Sequence, residues 1–224
     1  MGPTVKIRSA DELLDFLATR RQRRKRELIS LLHDLSPRSG ETAPHVRRTA
    51  ILLAYAHWEG FVKEAARAYV HLVAYKSRPL SALASNFQAL ACRQTLSIAQ
   101  GATRRVAPHI AVVEMMTANA DRSFRIDANT AIDTESNLGS EVFKNICESV
   151  GVLYLPAWSV EGPYMDDLYE NRCAIAHGEL LTPEVEYAVE AIEFSLKWIE
   201  AFSTEIENQA FNVAYLRGSQ TQFA

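Results

Sequence analysis

Apolar residues recur at intervals of three and four along most of the chain, which is the spacing of one face of a helix. One such stripe predicts a long helix over residues 11–35, and a second predicts another over residues 44–75. The first stripe comprises Leu13, Phe16, Leu17, Leu28, Leu31, Leu32 and Leu35. The second comprises Ile51, Tyr55, Trp58, Val62, Ala65, Tyr69 and Leu72.

The middle of the chain has a weaker pattern. Pro79 suits the first turn of a third helix. The apolar positions of that helix are Leu80, Leu83, Phe87 and Leu90. Between residues 101 and 129, Pro108 and a methionine-rich stretch predict a shorter helix. Residues 124–126 are the only plausible strand, and one isolated strand does not change the fold class.

The last third of the chain predicts three helices. Residues 140–150 have a helical pattern that ends at Gly151, a residue suited to a C-cap. Gly162-Pro163 is expected to open the next helix, which ends at Gly178. Thr182-Pro183-Glu184 predicts the final helix start, because it combines a capping hydroxyl, a proline and an acid near the positive dipole end. The stripe of that helix comprises Val185, Val189, Ile192, Leu196, Ile199, Phe202 and Ile206.

These stripes predict an all-α protein with one domain over residues 1–224 and a core of about residues 10–212. The chain has 224 residues, of which 48% are hydrophobic, enough for a substantial core. Its net charge of −3 argues against a protein held to nucleic acid by bulk positive charge, although it allows a local RNA site.

The predicted location is the cytoplasm. The three cysteines, Cys92, Cys147 and Cys173, show neither zinc nor redox spacing, which fits a reducing compartment. No apolar run is long enough for a membrane span, and the first residues lack a signal-peptide core, so we expect a soluble protein without a membrane partner.

Common cofactor and metal motifs are missing from the sequence. It has no Gly-rich phosphate loop, no His-Glu-x-x-His and no Gly-x-Ser-x-Gly. His57 and Glu59 would lie about 200° apart on a helix, which does not suit a shared metal, so we expect neither metal nor cofactor. The basic run of residues 20–26 could grip phosphates or be a solvated helix face.

One segment carries a candidate catalytic pair. Residues 170–179 are Glu-Asn-Arg-Cys-Ala-Ile-Ala-His-Gly-Glu, with Arg172 and His177 separated by four residues. A histidine can move protons near neutral pH, and a fixed arginine can stabilise charge on phosphoryl oxygens. On an ideal helix the two side chains lie about 140° apart. Either a helix end at Gly178 or a second copy across a two-fold axis could complete the site.

Spacing alone does not single out this pair. With four to six intervening residues allowed, the sequence also contains Arg26 with His33, Arg38 with His45, and Arg104 with His109. An exposed arginine followed by a histidine at a helix end is a common structural arrangement.

Three segments nevertheless give the chain a resemblance to the HEPN superfamily. They are residues 53–63, Leu-Ala-Tyr-Ala-His-Trp-Glu-Gly-Phe-Val-Lys; residues 132–138, Ile-Asp-Thr-Glu-Ser-Asn-Leu, continuing into 142–147; and residues 168–179 around the Arg–His pair. The chain resembles in particular the MAE-type HEPN-like nucleases of prokaryotic toxin and defence loci.

The resemblance implies a bundle of long antiparallel helices and a homodimer in which the motifs of two subunits meet. It also implies RNA as the substrate, with 2′-hydroxyl attack giving a 2′,3′-cyclic phosphate. Arg172 would then stabilise the transition state, and His177 would be the acid and base. The sequence departs from the superfamily at Cys173, where a polar residue usually follows the arginine; Asn171 precedes it and is a candidate substitute.

The supporting residues have two readings. In one reading, four residues orient Arg172 or contact RNA: Glu59, His57, Asn171 and Glu179. In the other, His57 and Glu59 form a buried pair that ties the second helix to the Arg172 helix. The resemblance further implies an antitoxin or another operon-encoded partner. The alternative function is a non-catalytic helical module that binds a partner protein or RNA.

Overall fold

The computed structural model describes residues 7–35, 42–102, 104–117, 121–134 and 137–219. These residues form eight α-helices and no strand, so the all-α class is confirmed. In chain order the helices are α1 (Ala10–Leu35), α2 (Pro44–Tyr75), α3 (Ser85–Gly101), α4 (Ala107–Met116), α5 (Ala128–Ala131), α6 (Ser140–Val150), α7 (Pro156–Ala176) and α8 (Val185–Phe211). A single 3-10 turn, Leu80–Ala82, precedes α3.

Helix α2 lies at the centre of a bundle formed with α1, α7 and α8. The register of the contacts gives the directions: α1 and α7 run antiparallel to α2, whereas α8 runs parallel to it. Alanines on α2 let its neighbours approach closely, and large aromatic rings fill the centre. The central rings are those of Trp58, Phe143, Trp158, Trp198 and Phe202.

The predicted bounds of α1, α2, α6 and α8 agree with the structure to within a few residues. Pro44 occupies the first turn of α2, where its missing N–H costs no hydrogen bond. At the end of α6, Gly151 has φ 74°, the left-handed conformation expected of a glycine that terminates a helix.

The shorter helix predicted around Pro108 is present as α4, whereas two other stretches between residues 79 and 126 differ from the sequence prediction. Pro79 precedes the short 3-10 turn, and α3 begins only at Ser85. Residues 124–126 are not a strand, because Ser123 forms only an isolated bridge with Pro79 and no ladder continues from it. Phe124 is instead buried against Phe87 at a ring distance of 6.0 Å, so tertiary packing explains its apolar character.

The start of α7 also differs. Gly162-Pro163 does not open the helix, which begins at Pro156 and contains Pro163 in its interior. Trp158 is buried against Phe143 at 4.9 Å, and this packing holds the turn that precedes Pro163. The ring of Pro163 faces solvent, where an interior proline disturbs packing least.

The start of α8 lies one residue beyond the predicted signal. Helix α8 begins at Val185 with Glu184 as its N-cap, and Thr182 does not cap it. The carbonyl of Pro183 accepts a hydrogen bond from Arg47 at 2.9 Å, which holds Pro183 in the connection before the helix.

Half of the basic run on α1 has a structural role. Arg24 donates to Glu64 at 3.1 Å and to the His57 carbonyl at 3.2 Å. Arg20 also lies near Glu64, and Arg21 pairs with α8 through Glu200 at 2.9 Å. These three arginines therefore tie α1 to α2 and α8, while Arg23, Lys25 and Arg26 are exposed.

In the described parts of the chain, none of the helices is both long and apolar enough to cross a bilayer. Three of the residues singled out from the sequence, Arg38, Glu135 and Ser136, lie outside the described residues.

Candidate active site

The guanidinium of Arg172 lies in a half-buried position between α7 and α2. Its Cζ is 4.2 Å from the centroid of the Tyr55 ring and 5.5 Å from that of Tyr169. Its Nη2 lies 3.8 Å from Oε2 of Glu59, and 21% of the Arg172 side chain is exposed. A planar cation over an aromatic face and beside a carboxylate is held in one orientation.

The electrostatic setting keeps Arg172 charged. Burial lowers the pKa of Arg172, but interactions with Tyr55, Cys173 and Glu59 outweigh burial, so the net shift raises it. Burial also raises the pKa of Tyr55 to about 12, which keeps its hydroxyl protonated near neutral pH. The site therefore presents a permanent positive charge to an anion.

A polar network on α2 links Glu59 to the segment before α6. The buried Thr134 hydroxyl donates to Oε1 of Glu59 at 2.7 Å. Nζ of Lys63 lies 3.5 Å from the same hydroxyl and 3.6 Å from Asp133, which places a cation beside the hydroxyl that bonds to Glu59. The carboxylate of Glu59 is thus shared between the loop and the arginine.

Tyr55 also contacts the segment before α6, since its hydroxyl accepts a hydrogen bond from the Leu138 N–H at 2.7 Å. The structure therefore brings together, around Arg172, parts of the three segments on which the sequence resemblance was based: residues 53–63, residues 132–134 with 137–138, and residues 168–179.

His177 terminates α7 with an exposed side chain. Its N–H still bonds to the Cys173 carbonyl at 2.9 Å, and the chain turns away at Gly178, where φ is 85°. The Cβ direction of His177 therefore follows the helix, and the angle of about 140° from Arg172 persists. Within the described residues, the His177 ring shares no hydrogen bond or ion pair with Arg172.

The other candidates lie on different sides of the bundle. Asn171 donates to the Tyr187 hydroxyl and to the Asp167 carbonyl, both at 3.0 Å, so it joins α7 to α8. Glu179 is exposed after the end of α7.

His57 faces α1, with Nε2 3.3 Å from Glu27. The predicted pair of His57 and Glu59 bridging to α7 is therefore wrong for His57, because two residues of helix turn the side chains to opposite sides.

Burial lowers the pKa of His57 below its usual value, although Glu27 acts in the opposite direction. This keeps His57 largely neutral at neutral pH. A neutral histidine at the junction of α1 and α2 belongs to the packing between those helices.

Cys173 lies beside Tyr169 one helical turn earlier. The neighbouring Cys173 thiol raises the pKa of the Tyr169 hydroxyl. The residue that departs from the superfamily pattern thus lies one helical turn from the tyrosine that flanks Arg172.

Sequence reasoning missed four residues of the site: Tyr55, Lys63, Thr134 and Tyr169. Two of them had a signal, because Tyr55, Glu59 and Lys63 follow one another at intervals of four and so lie on one face of α2. Thr134 and Tyr169 had none, since their positions depend on tertiary contacts.

The competing Arg–His spacings do not meet a comparable site. His109 binds the Arg105 carbonyl at 3.0 Å on the exposed α4, and both Arg26 and His33 are exposed on α1. No cluster of three or more His, Cys, Asp or Glu side chains with a geometry suited to a metal ion occurs among the described residues.

Comparison with known proteins identifies the family. The chain matches the RiboL-PSP-HEPN family over residues 19–208. The chain belongs to the RiboL-PSP-HEPN family. This match confirms the predicted HEPN superfamily, whose domains are nuclease-like or RNA-related modules. The likeness to MAE-type nucleases stays a prediction. No curated protein and no solved structure matches the chain.

Proposed function

We propose that this HEPN protein is a metal-independent endoribonuclease. The observation that carries the proposal is the fixed guanidinium of Arg172, held by Tyr55 and Glu59 on the helix that ends with the exposed His177. A preorganised cation near an accessible proton carrier provides the minimal chemistry for RNA cleavage.

In the proposed reaction, the RNA 2′ oxygen forms a bond to the adjacent phosphorus as the bond to the 5′ oxygen breaks. His177 takes the proton of the 2′-hydroxyl as the base and, as the acid, gives it to the departing 5′ oxygen. Arg172 neutralises the charge that grows on the non-bridging oxygens. The products are a 2′,3′-cyclic phosphate and a 5′-hydroxyl.

The cellular setting that we propose is a toxin or defence role in the cytoplasm, with a homodimer as the active form and an antitoxin or another operon-encoded protein as a partner. The support for this setting is the resemblance of the three site segments to nucleases of such loci. Membership of the HEPN superfamily adds to it, because HEPN domains commonly bind RNA and dimerise.

A second candidate is a non-catalytic module that binds a protein or RNA. It is favoured by the contacts of Arg172, which are made within the chain, and by the different direction of His177. Under this hypothesis Arg172 joins α7 to α2, and Cys173 reflects a lost requirement for a polar residue.

Cleavage of single-stranded RNA in EDTA distinguishes the two. We expect wild type to cut RNA but not DNA, which lacks the attacking hydroxyl. His177→Ala should lower the rate roughly 10²-fold or more, the usual contribution of a positioned acid or base. Its melting temperature should stay near that of wild type, because the side chain is exposed. Arg172→Ala should lower the rate at least as much, and Arg172→Lys should recover little because the planar fork is lost.

The other histidines supply matched controls. His33→Ala, His45→Ala and His109→Ala remove exposed rings elsewhere on the surface and should leave the rate nearly unchanged. RNA left intact by wild type, or cut equally fast by His177→Ala, would establish the binding-module hypothesis instead.

A further inference from the structure

The C-terminal end of α2 carries an exposed aromatic ring beside a cation. Tyr75 is the last residue of α2, and 57% of it is exposed. The guanidinium of Arg8, which precedes α1, lies 6.0 Å from the Tyr75 ring centroid. This end of the bundle is remote from Arg172 and takes no part in the chemistry described above.

Further segments of the chain meet at the same place. The Phe124 N–H donates to the Arg78 carbonyl, and the Arg217 N–H donates to the Ala82 carbonyl, both at 2.8 Å. Isolated bridges join the same strips of backbone. Hydrogen bonds between three distant parts of the sequence thus assemble one surface, and each part contributes cations to it.

We name this surface the basic end, and its cations are Arg8, Lys76, Arg78, Arg122, Arg125 and Arg217. The five arginines are exposed, and none of the six cations forms an ion pair with a carboxylate that the structure describes. The arginines Arg20, Arg21 and Arg24 of α1 differ, because each is paired with glutamate. Acids also lie here: Asp121 accepts a hydrogen bond from Ser81, Glu12 accepts one from the Arg8 N–H, and Glu114 lines a cavity with Arg122 and Arg125.

We propose that the basic end binds the phosphates of single-stranded RNA and that Tyr75 stacks on a base. Guanidinium groups match phosphate oxygens with two parallel hydrogen bonds. Aromatic rings among cations are the usual platform for single strands, because every base has a face on which to stack. As part of substrate recognition, this inference rests on the proposed nuclease function.

The distance along α2 sets the length of RNA that reaches both regions. Tyr75 follows Glu59 by 16 residues of the same helix, which corresponds to about 24 Å. A stacked strand rises about 3.4 Å per nucleotide, so about seven nucleotides cover this distance. RNA longer than that can engage Arg172 and the basic end together, whereas a stacked tetranucleotide, about 14 Å long, is too short.

The test compares two triple variants that remove equal charge. Arg78→Gln/Arg122→Gln/Arg125→Gln alters the basic end, and Arg23→Gln/Lys25→Gln/Arg26→Gln alters exposed cations of α1. The probe is a labelled 20-nucleotide 2′-O-methyl RNA, which lacks the attacking hydroxyl, so binding is measured whether or not the protein cleaves RNA.

We expect the basic-end triple to raise Kd at least 10-fold and to reduce the slope of log Kd against log salt by about 2, because three phosphate contacts are lost. The α1 triple should change Kd less than threefold. Tyr75→Ala should weaken binding roughly fivefold or more, whereas Tyr75→Phe should not. Circular dichroism of each variant checks that the helices are intact.

Equal weakening by both triples would overturn the proposal, since charge alone would then explain binding. It is also overturned if wild type does not bind the RNA, whether or not it sediments with vesicles that contain anionic phospholipid. Cleavage assays separate this inference from the proposed function. Loss of binding in the basic-end triple with an inactive wild type would refute only the nuclease. An unaffected triple with an active wild type would refute only the basic end.

Discussion

Glu59 and His57 are two residues apart on α2, and this separation gives them different partners. Glu59 faces the loop and α7, where it accepts a hydrogen bond from Thr134 and lies 3.8 Å from Arg172. His57 faces α1 and Glu27. The resemblance allowed either residue near Arg172, although their separation of about 200° on a helix already put them on different faces. Of the two, only Glu59 can influence Arg172 directly.

Glu59→Gln and Glu59→Ala separate the two contacts of this carboxylate. The amide oxygen of glutamine still accepts from Thr134 but no longer attracts Arg172, so we expect cleavage to fall roughly 10-fold with little change in stability. Alanine also leaves the buried Thr134 hydroxyl without this acceptor, which should cost about 1–3 kcal/mol of unfolding free energy. Cleavage rates and urea denaturation measure the two effects.

Glu27→Gln is the control for Glu59, because it removes a carboxylate that contacts α2 on its opposite side. It should leave cleavage unchanged. If Glu59→Gln cleaves RNA as fast as wild type, the charge of Glu59 does not position Arg172, and its role is confined to the loop.

At the scale of elements, helices were predictable where a long apolar stripe determined them. The stripes of α1, α2 and α8 persist for six turns or more, so local and tertiary preferences agree there. The helix start predicted at Gly162-Pro163 was wrong, although Gly-Pro is a strong local signal for a helix start. Burial of Trp158 outweighs that signal, and the sequence around Pro163 does not reveal the partner of this tryptophan.

Pro163→Ala tests this conflict directly. Pro163 has no N–H to donate to the Ser159 carbonyl, and its ring is exposed, so alanine restores a helical hydrogen bond without loss of packing. We expect the unfolding free energy to rise by about 1–3 kcal/mol. Pro156→Ala is the control: at the first position of α7 a proline costs nothing, so its replacement should be neutral or slightly destabilising. A less stable Pro163→Ala would show that the proline is needed for the path of α7.

For the whole molecule, the net charge was the sequence property that said least about contact with RNA. A total of −3 argued against extensive contact with RNA phosphates, but a total says nothing about how charges are placed. Folding pairs Arg20, Arg21 and Arg24 with glutamates and gathers at the basic end, from separate segments, cations that form no ion pair with a carboxylate of the described residues. No local pattern in the sequence predicts that surface, because its cations are up to about 200 residues apart.

The angle between Arg172 and His177 leads to a prediction about the assembly. Both side chains follow the geometry of α7, and in one chain they point about 140° apart. A two-fold axis close to the end of α7 would bring the same patch of two chains face to face. We therefore expect a homodimer in which Arg172 of one chain acts with His177 of its partner.

Mixing two inactive variants tests this arrangement. In a heterodimer of Arg172→Ala and His177→Ala, one of the two composite sites has both wild-type residues, and the other has neither. Random exchange of subunits makes about half of all dimers heterodimers, so about a quarter of wild-type activity should return. The measurement is RNA cleavage after the variants are mixed and allowed to exchange, with each variant alone and a mixture of two His177→Ala preparations as controls. If the pair acts within one chain, every heterodimer site lacks one residue, and the mixture stays as inactive as its components.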